Sequence, residues 1–175
     1  MFQKIRAYLA KFHRPTEWTE NTHAATLWSY EIIRNGKPLT KTTPKHNATI
    51  NSGLNVARQV LHQAGHGGFA GFDRLTVGSI DYTPAATDTT LTGEVNKDGL
   101  ERISGTYTND SATGSWKLEH TFTYTGTNAV TIHTGALFNS ASAGNMLYAA
   151  KFAAPATLIT GDQIKITITG TIAAT

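Results

Sequence analysis

The chain has 175 residues, a formal net charge of +3, a hydrophobic fraction of 39% and no cysteine. Its length predicts one sizeable domain, with or without an appended arm. The absence of cysteine excludes disulfides, thiolate metal sites and thiol nucleophiles, and the low net charge argues against a dedicated, sequence-specific nucleic-acid binder. No stretch approaches the roughly 18 apolar residues of a membrane span, and no signal-peptide core is visible, so we expect a soluble protein made inside a cell, with no membrane partner.

Residues 1–25 predict a basic amphipathic arm followed by a polar linker. Apolar side chains recur near helical spacing up to Pro15, with basic residues between them and no acid in the first fourteen positions. Such a segment can dock on a partner protein, lie on a membrane surface or contact nucleic acid, and we favour ordering on a partner subunit over a frayed, inert terminus. The candidate partner-binding residues are Phe2, Lys4, Ile5, Arg6, Tyr8, Leu9, Lys11, Phe12, Arg14 and Trp18.

Residues 26–175 predict a β domain that includes one helix. Residues 27–33 and 38–43 flank Asn35-Gly36, the pair favoured in a type I′ hairpin turn. A helix is predicted at about 49–64, because apolar residues follow one another there at steps of four and three. These residues are Ile50, Leu54, Ala57, Leu61 and Ala64.

The later part of the chain predicts strands, at 72–78, weakly at 102–108, and then repeatedly from 115 onwards. The clearest strand places Trp116, Leu118, His120, Phe122 and Tyr124 on one face. Threonine suits the opposite, solvated face of such a sheet, and 29 of the 175 residues are threonine. The last strand alternates isoleucine with lysine or threonine from 164 to 172, and Gly170 interrupts its apolar face, which predicts a bulge or a close backbone approach.

The order of these segments resembles small β-sandwich virion structural proteins of tailed bacteriophages, of the capsid decoration, cement or tail-associated type. The resemblance covers roughly residues 27–172. Its most specific part is the closing block, in which a Leu137-Phe138-Asn139 turn, a Met146-Leu147 step, Phe152 and a Gly161-Asp162 pair precede the final strand. The other matching segments are 51–61, 75–79 and 84–91. The resemblance implies a β-sandwich in a phage particle, on the capsid or in the tail, and carries over no functional residue.

Catalytic and metal sites are weakly indicated. His62 and His66 have an i, i+4 spacing, but no third ligand lies nearby in sequence. Paired carboxylates can hydrolyse glycosides, yet acids in threonine-rich loops are more often part of turns. The densest acidic stretch contains Asp81, Asp88, Glu94, Asp98 and Glu101. We therefore expect no enzyme activity and no cofactor.

Taken together, the sequence predicts a mainly β protein, an antiparallel and jelly-roll-like β-sandwich with one α-helix and an N-terminal helical arm. The predicted function is that of a capsid decoration or cement protein, located in a virion assembled in the host cytoplasm. Its expected partners are the major capsid protein or other virion proteins, and a homo-oligomer is expected, with a trimer as one candidate state. The alternative is a tail or head-fibre component whose loops at 83–92, 108–115 and 139–145 bind glycans.

Overall fold

The computed structural model describes residues 23–43, 45–46, 48–49, 71–109 and 115–173. This part of the chain forms two antiparallel β-sheets. Its strands are β1 (His23–Arg34), β2 (Lys37–Lys41), β3 (Lys45–His46), β4 (Ala48–Thr49), β5 (Arg74–Gly78), β6 (Ile103–Ser104), β7 (Thr106–Asn109), β8 (Ser115–Thr123), β9 (Val130–Phe138), β10 (Met146–Leu158) and β11 (Gln163–Ala173).

The first sheet, sheet A, has the strand order β2-β1-β11-β8-β7, with β3 also paired to β1. The second, sheet B, has the order β4-β10-β9-β5-β6. The centre of sheet A joins segments that are far apart in the chain, because β1 pairs with β11 along an unbroken register from His23 opposite Ala173 to Ile33 opposite Gln163. Both sheets depend on pairings of this long-range kind.

The inner faces of the two sheets form one apolar core. Sheet A contributes fully buried side chains from its three long strands, and sheet B contributes branched and aromatic side chains that meet them. Direct contact between the layers is clearest at Tyr30, whose ring lies 4.9 Å from that of Phe152 and whose hydroxyl donates a 2.8 Å hydrogen bond to the Ala154 carbonyl. The main members from sheet A are Trp28, Tyr30, Ile32, Leu118, Phe122, Ile164, Ile166 and Ile168, and those from sheet B are Leu75, Val77, Ile132, Leu137, Phe152 and Leu158.

The structure confirms the predicted mainly β fold with two antiparallel sheets. Asn35 and Gly36 have φ values of 51° and 72°, as the two central residues of a type I′ turn require, and they join β1 to β2. In β8, Leu118 and Phe122 are buried while Thr121 and Thr123 are exposed, so the predicted alternation is correct. The jelly-roll-like arrangement remains a prediction.

Two predicted helical elements are not supported by the described residues, which contain no α-helix. The predicted helix at about 49–64 falls outside them except for Thr49, which lies in β4 rather than at a helix start. The predicted arm also falls outside them, up to residue 22. The last three residues of the predicted linker, 23–25, belong to β1, because pairing with β11 continues as far as His23.

Sheet B is buried on both faces along part of its length, which the alternation analysis missed. A second apolar cluster lies on its outer face, where Leu91 packs against Ala136, Phe138, Met146 and Ala149. The covering segment is the long connection between β5 and β6, which loops back over the sheet and is held by a 2.9 Å backbone hydrogen bond from Val95 to Val77. Strands buried on both faces lose the alternating pattern on which the prediction relied.

The predicted irregularity at Gly170 is a close approach and not a bulge. The register between β11 and β8 runs without a shift through Gly170 opposite Trp116. A Cβ atom added at Gly170 would overlap the indole ring of Trp116, so this ring lies directly on the glycine backbone. Glycine is required here by the position of the ring, since no side chain fits beneath it.

We predict that Gly170→Ala destabilises the protein by roughly 1–3 kcal/mol, because the new methyl group over-packs the indole contact. Urea unfolding monitored by circular dichroism measures the change. In a Trp116→Leu background the same substitution should lower the unfolding free energy clearly less, because the indole ring that the new methyl group overlaps has been removed. An equal cost in both backgrounds would show that the indole contact is not the reason for glycine.

Candidate functional site

The two ends of the sandwich differ in what they carry. At one end, called the His23 end, β1 begins opposite the last residue of β11, and β8 begins at Ser115. Sheet B presents the turn between β9 and β10 and the start of β5 at this end. At the opposite end, called the Asp162 end, the loop 124–129 joins β8 to β9 and the turn 159–162 joins β10 to β11.

An apolar cleft opens between the sheets at the His23 end. It has a volume of about 270 Å³ and is lined mainly by aromatic and leucine side chains. Tyr107 and Trp116 stack within it, with ring centroids 6.3 Å apart and planes inclined by 23°. Across the cleft, burial raises the pKa of Tyr148. The lining residues are Phe72, Tyr107, Trp116, Leu118, Leu137, Leu147 and Tyr148.

The Asp162 end is organised around one buried carboxylate. Asp162 is 1% exposed and accepts hydrogen bonds of 2.7 Å and 2.6 Å from Nε and Nη2 of Arg34, together with a 2.9 Å bond from the Ile159 amide. The bidentate geometry matches the guanidinium fork to both carboxylate oxygens. These hydrogen bonds hold the pKa of Asp162 below its usual range, although burial opposes the shift.

We predict that Asp162→Asn lowers the melting temperature by several degrees, because the amide cannot replace the carboxylate at the Arg34 fork. A carboxyl group whose pKa is lowered by folding stabilises the protein above its unfolded-state pKa of about 3.9 and loses this contribution as the pH falls through the folded value. The difference in unfolding free energy between wild type and variant should therefore be largest near neutrality and shrink below about pH 4. Chemical denaturation across this range measures it. A difference that does not change with pH would contradict the assignment.

A network of hydrogen bonds fixes loop 124–129 against the turn 159–162. The Tyr124 amide donates to the Asp162 carbonyl at 2.8 Å, and the Gly161 amide donates to the Tyr124 carbonyl at 2.8 Å. The Tyr124 hydroxyl donates to the Asn128 carbonyl within the loop. From the neighbouring connection, the Asp98 carbonyl accepts a 2.9 Å bond from the Thr125 amide. The backbone of this loop is therefore held by the turn 159–162, by Asp98 and by the side chain of Tyr124.

A polar pocket of about 450 Å³ lies beside this loop. Its lining combines a lysine, a carboxylate, an amide and hydroxyl groups with two valines, an alanine and Tyr124. The lining residues are Val95, Lys97, Asp98, Tyr124, Thr125, Gly126, Thr127, Asn128, Ala129 and Val130. The sequence analysis did not select this loop, although Thr125-Gly126-Thr127-Asn128 has the turn composition that could have drawn attention to it.

A second ion pair, between Arg102 and Glu94, lies within the covering segment, and further contacts of the two side chains hold this segment against sheet B. Arg102, whose side chain is 9% exposed, binds both carboxylate oxygens of Glu94, with 2.7 Å from Nη2 to Oε2. Its guanidinium carbon lies 3.5 Å above the ring of Phe138, and its Nη1 donates to the Ala143 carbonyl in the turn before β10. Thr76 in β5 donates a further 3.0 Å hydrogen bond to Glu94.

We predict that Arg102→Met destabilises the protein by about 3–5 kcal/mol, since it leaves the Glu94 carboxylate partly buried without its partner. Arg102→Lys should cost less because it keeps the charge but loses the bidentate geometry. The double variant Arg102→Met/Glu94→Gln is the control and should recover part of the loss. Urea unfolding measures all three variants, and a double variant no more stable than Arg102→Met would argue against an unpaired carboxylate as the cause.

Most of the candidate residues from the sequence lie outside the part of the chain that the structure describes. The ten proposed partner-binding residues from Phe2 to Trp18 lie outside the described residues, as do His62 and His66. The five acidic residues of the densest acidic stretch each have a local partner. Asp81 pairs with Lys151, Asp88 accepts from the Ala85 amide, Glu94 pairs with Arg102, Asp98 lies 4.0 Å from Lys97, and Glu101 accepts from the Gly99 amide.

The glycan-binding role of the three loops suggested by the sequence stays a prediction. Residues 83–92 belong to the segment over the outer face of sheet B, where Leu91 is buried. Residues 139–145 form the turn at the His23 end, and most of 108–115 falls outside the described residues. Within the described ranges there is no group of three or more potential metal ligands and no helix able to span a membrane.

Comparison with known proteins supplies the family. The sequence model of the family described as podophage GP4 fiber I protein gp80 matches residues 65–174, which is more than half of the chain. The chain belongs to this family. It is therefore a virion structural protein of a tailed bacteriophage, located in the virion, as the resemblance of the closing strands implied. No curated protein matches the chain.

Proposed function

We propose that this member of the gp80 fibre family is a fibre component of the phage particle that attaches through its His23 end. The observation that carries the proposal is the match to a fibre protein family across residues 65–174. The difference between the two ends of the sandwich supports it. The chain enters β1 at the His23 end, where an apolar cleft opens, while the Asp162 end carries a polar pocket on fixed loops.

The arm of residues 1–22 is the proposed anchor to another virion protein. It precedes the first strand at the His23 end, and its apolar and basic residues can bury side chains in a partner groove while pairing with acidic groups. The major capsid protein or another virion protein is the proposed partner, in a homo-oligomer that we propose to be a trimer. The role is mechanical, without enzyme activity, and the carboxylates engaged in structural pairs support this view.

A capsid decoration or cement role is the second candidate. The exposed side chains of Ile103 and Tyr107, 40% and 59% exposed, favour it because they lie on the edge strands and offer apolar area for packing against a shell. Such packing gains about 25 cal/mol for each Å² of apolar surface that is removed from water, before the losses of association.

An epitope tag inserted between Asn35 and Gly36 distinguishes the two roles. This turn is exposed and lies at the Asp162 end, so antibody can reach a tag there without displacing a core strand. Electron microscopy of gold-labelled virions should show label on fibres. Label distributed over the capsid shell would overturn the fibre proposal in favour of the decoration role.

We predict that replacing the apolar arm residues Phe2, Ile5, Tyr8, Leu9, Phe12 and Trp18 by serine reduces incorporation into virions at least tenfold and leaves the melting temperature unchanged. The physical reason is that these side chains would bury their surface in the partner and not in the sandwich core. Quantitative immunoblotting of purified particles measures incorporation, and a variant with Lys4, Arg6, Lys11 and Arg14 changed to glutamine separates the charge contribution. Normal incorporation of the serine variant would contradict an anchoring role.

A further inference from the structure

The pocket at the Asp162 end has the features of a preformed binding site. Its volume of about 450 Å³ falls within the range of about 300–1,000 Å³ that is common for small-molecule sites. The loop beside it is fixed by backbone hydrogen bonds to the turn 159–162 and to Asp98. A loop that is already ordered loses little conformational entropy when a ligand binds, which favours affinity from few contacts.

The chemistry of the lining selects the class of ligand. Lys97 and Asp98 both line the pocket, and their opposite charges lie 4.0 Å apart, so the pocket has no net preference for an anion or a cation. Asn128 supplies an amide that both donates and accepts hydrogen bonds, and Thr125 and Thr127 supply hydroxyls. Such mixed donors and acceptors match a ligand that is rich in hydroxyl groups and uncharged.

The apolar side chains of the lining fit the same class of ligand. Val95, Ala129 and Val130 line the pocket together with the polar groups. A pyranose ring has an apolar face of C–H groups and an edge of hydroxyls, and a mixed lining of this kind can contact both. The apolar cleft at the His23 end lacks this mixture, because its lining is almost entirely hydrocarbon and aromatic.

We propose that the pocket lined by Lys97, Asp98, Thr125, Thr127 and Asn128 binds a neutral saccharide unit. This inference rests on the proposed fibre function, in which the sugar site lies at the end of the sandwich opposite the start of β1. It assigns recognition to loop 124–129 and the turn at 97–98 and not to the three loops that the sequence suggested.

Titration of the ¹⁵N-labelled full chain with lactose, maltose and cellobiose, followed by NMR, tests the assignment. At least one of these neutral sugars should shift the amide signals of residues 97–98 and 125–128 in a saturable manner. The variant Asp98→Asn/Asn128→Ala should weaken this binding at least tenfold. It keeps the backbone carbonyls of both residues, which make the structural hydrogen bonds. Thr121→Ala, an exposed threonine on the outer face of sheet A, is the matched control and should bind like wild type.

Three outcomes would overturn the assignment. They are an absence of saturable shifts with all three sugars, shifts confined to residues around Trp116, and binding of glucuronate in preference to the neutral sugars. None of these results affects where the gold label lies on the virion, so the pocket assignment can fail while the fibre proposal stands. Conversely, saturable binding with label on the capsid shell would retain the site and reject the fibre role.

Discussion

The pairing of β1 with β11 is the constraint on which the remaining structure depends. These strands occupy the centre of sheet A, and their register aligns Trp28 with Ile168, Tyr30 with Ile166 and Ile32 with Ile164 on the face that packs against sheet B. A slip of one residue would move all these side chains to the solvated face, so the buried pattern fixes the register. The same pairing sets which loops meet at each end of the sandwich.

Two partly buried ion pairs hold the connections to this frame, and in the first of them the carboxylate of Asp162 is buried while Arg34 is partly exposed. Arg34 at the end of β1 reaches Asp162 immediately before β11, and Arg102 joins the covering segment to the turn between β9 and β10. Buried pairs of this kind add little net stability compared with apolar packing, but they are costly to break and select one geometry. Their contribution here is to hold loops in place, whereas the apolar core supplies most of the stability. By contrast, Glu119 lies between Lys117 and Lys165 on the outer face of sheet A, where solvent weakens such pairs.

The parts of the fold that could be predicted were those with a local signal. The alternation in β8 and β11 and the Asn35-Gly36 turn each depend on residues near one another in sequence, and each is found. The gap in the apolar face at Gly170 was visible locally, but the ring that lies on this glycine belongs to Trp116 in another strand. Ala149 and Leu91 could not be placed, because their burial arises when a distant segment folds over the outer face of sheet B. The Gly161-Asp162 pair was recognised from the sequence as part of the family resemblance. The ion pair that Asp162 forms could not be predicted, because its partner Arg34 lies 128 positions away. The pocket at the Asp162 end was missed for the same reason, since its walls come from two separate connections.

The central position of β11 also has a consequence for synthesis. The ribosome makes β1 more than one hundred residues before the strand that covers its edge, and sheet A cannot close until β11 has left the exit tunnel. During that interval β1 offers an unpaired edge to other nascent chains, and non-local pairing of this type is slow to form. A chain that ends before β11 therefore lacks the central strand of sheet A and not an edge strand. Only chains synthesised through β11 can complete the sandwich, so translation itself limits which copies are competent for assembly into a particle.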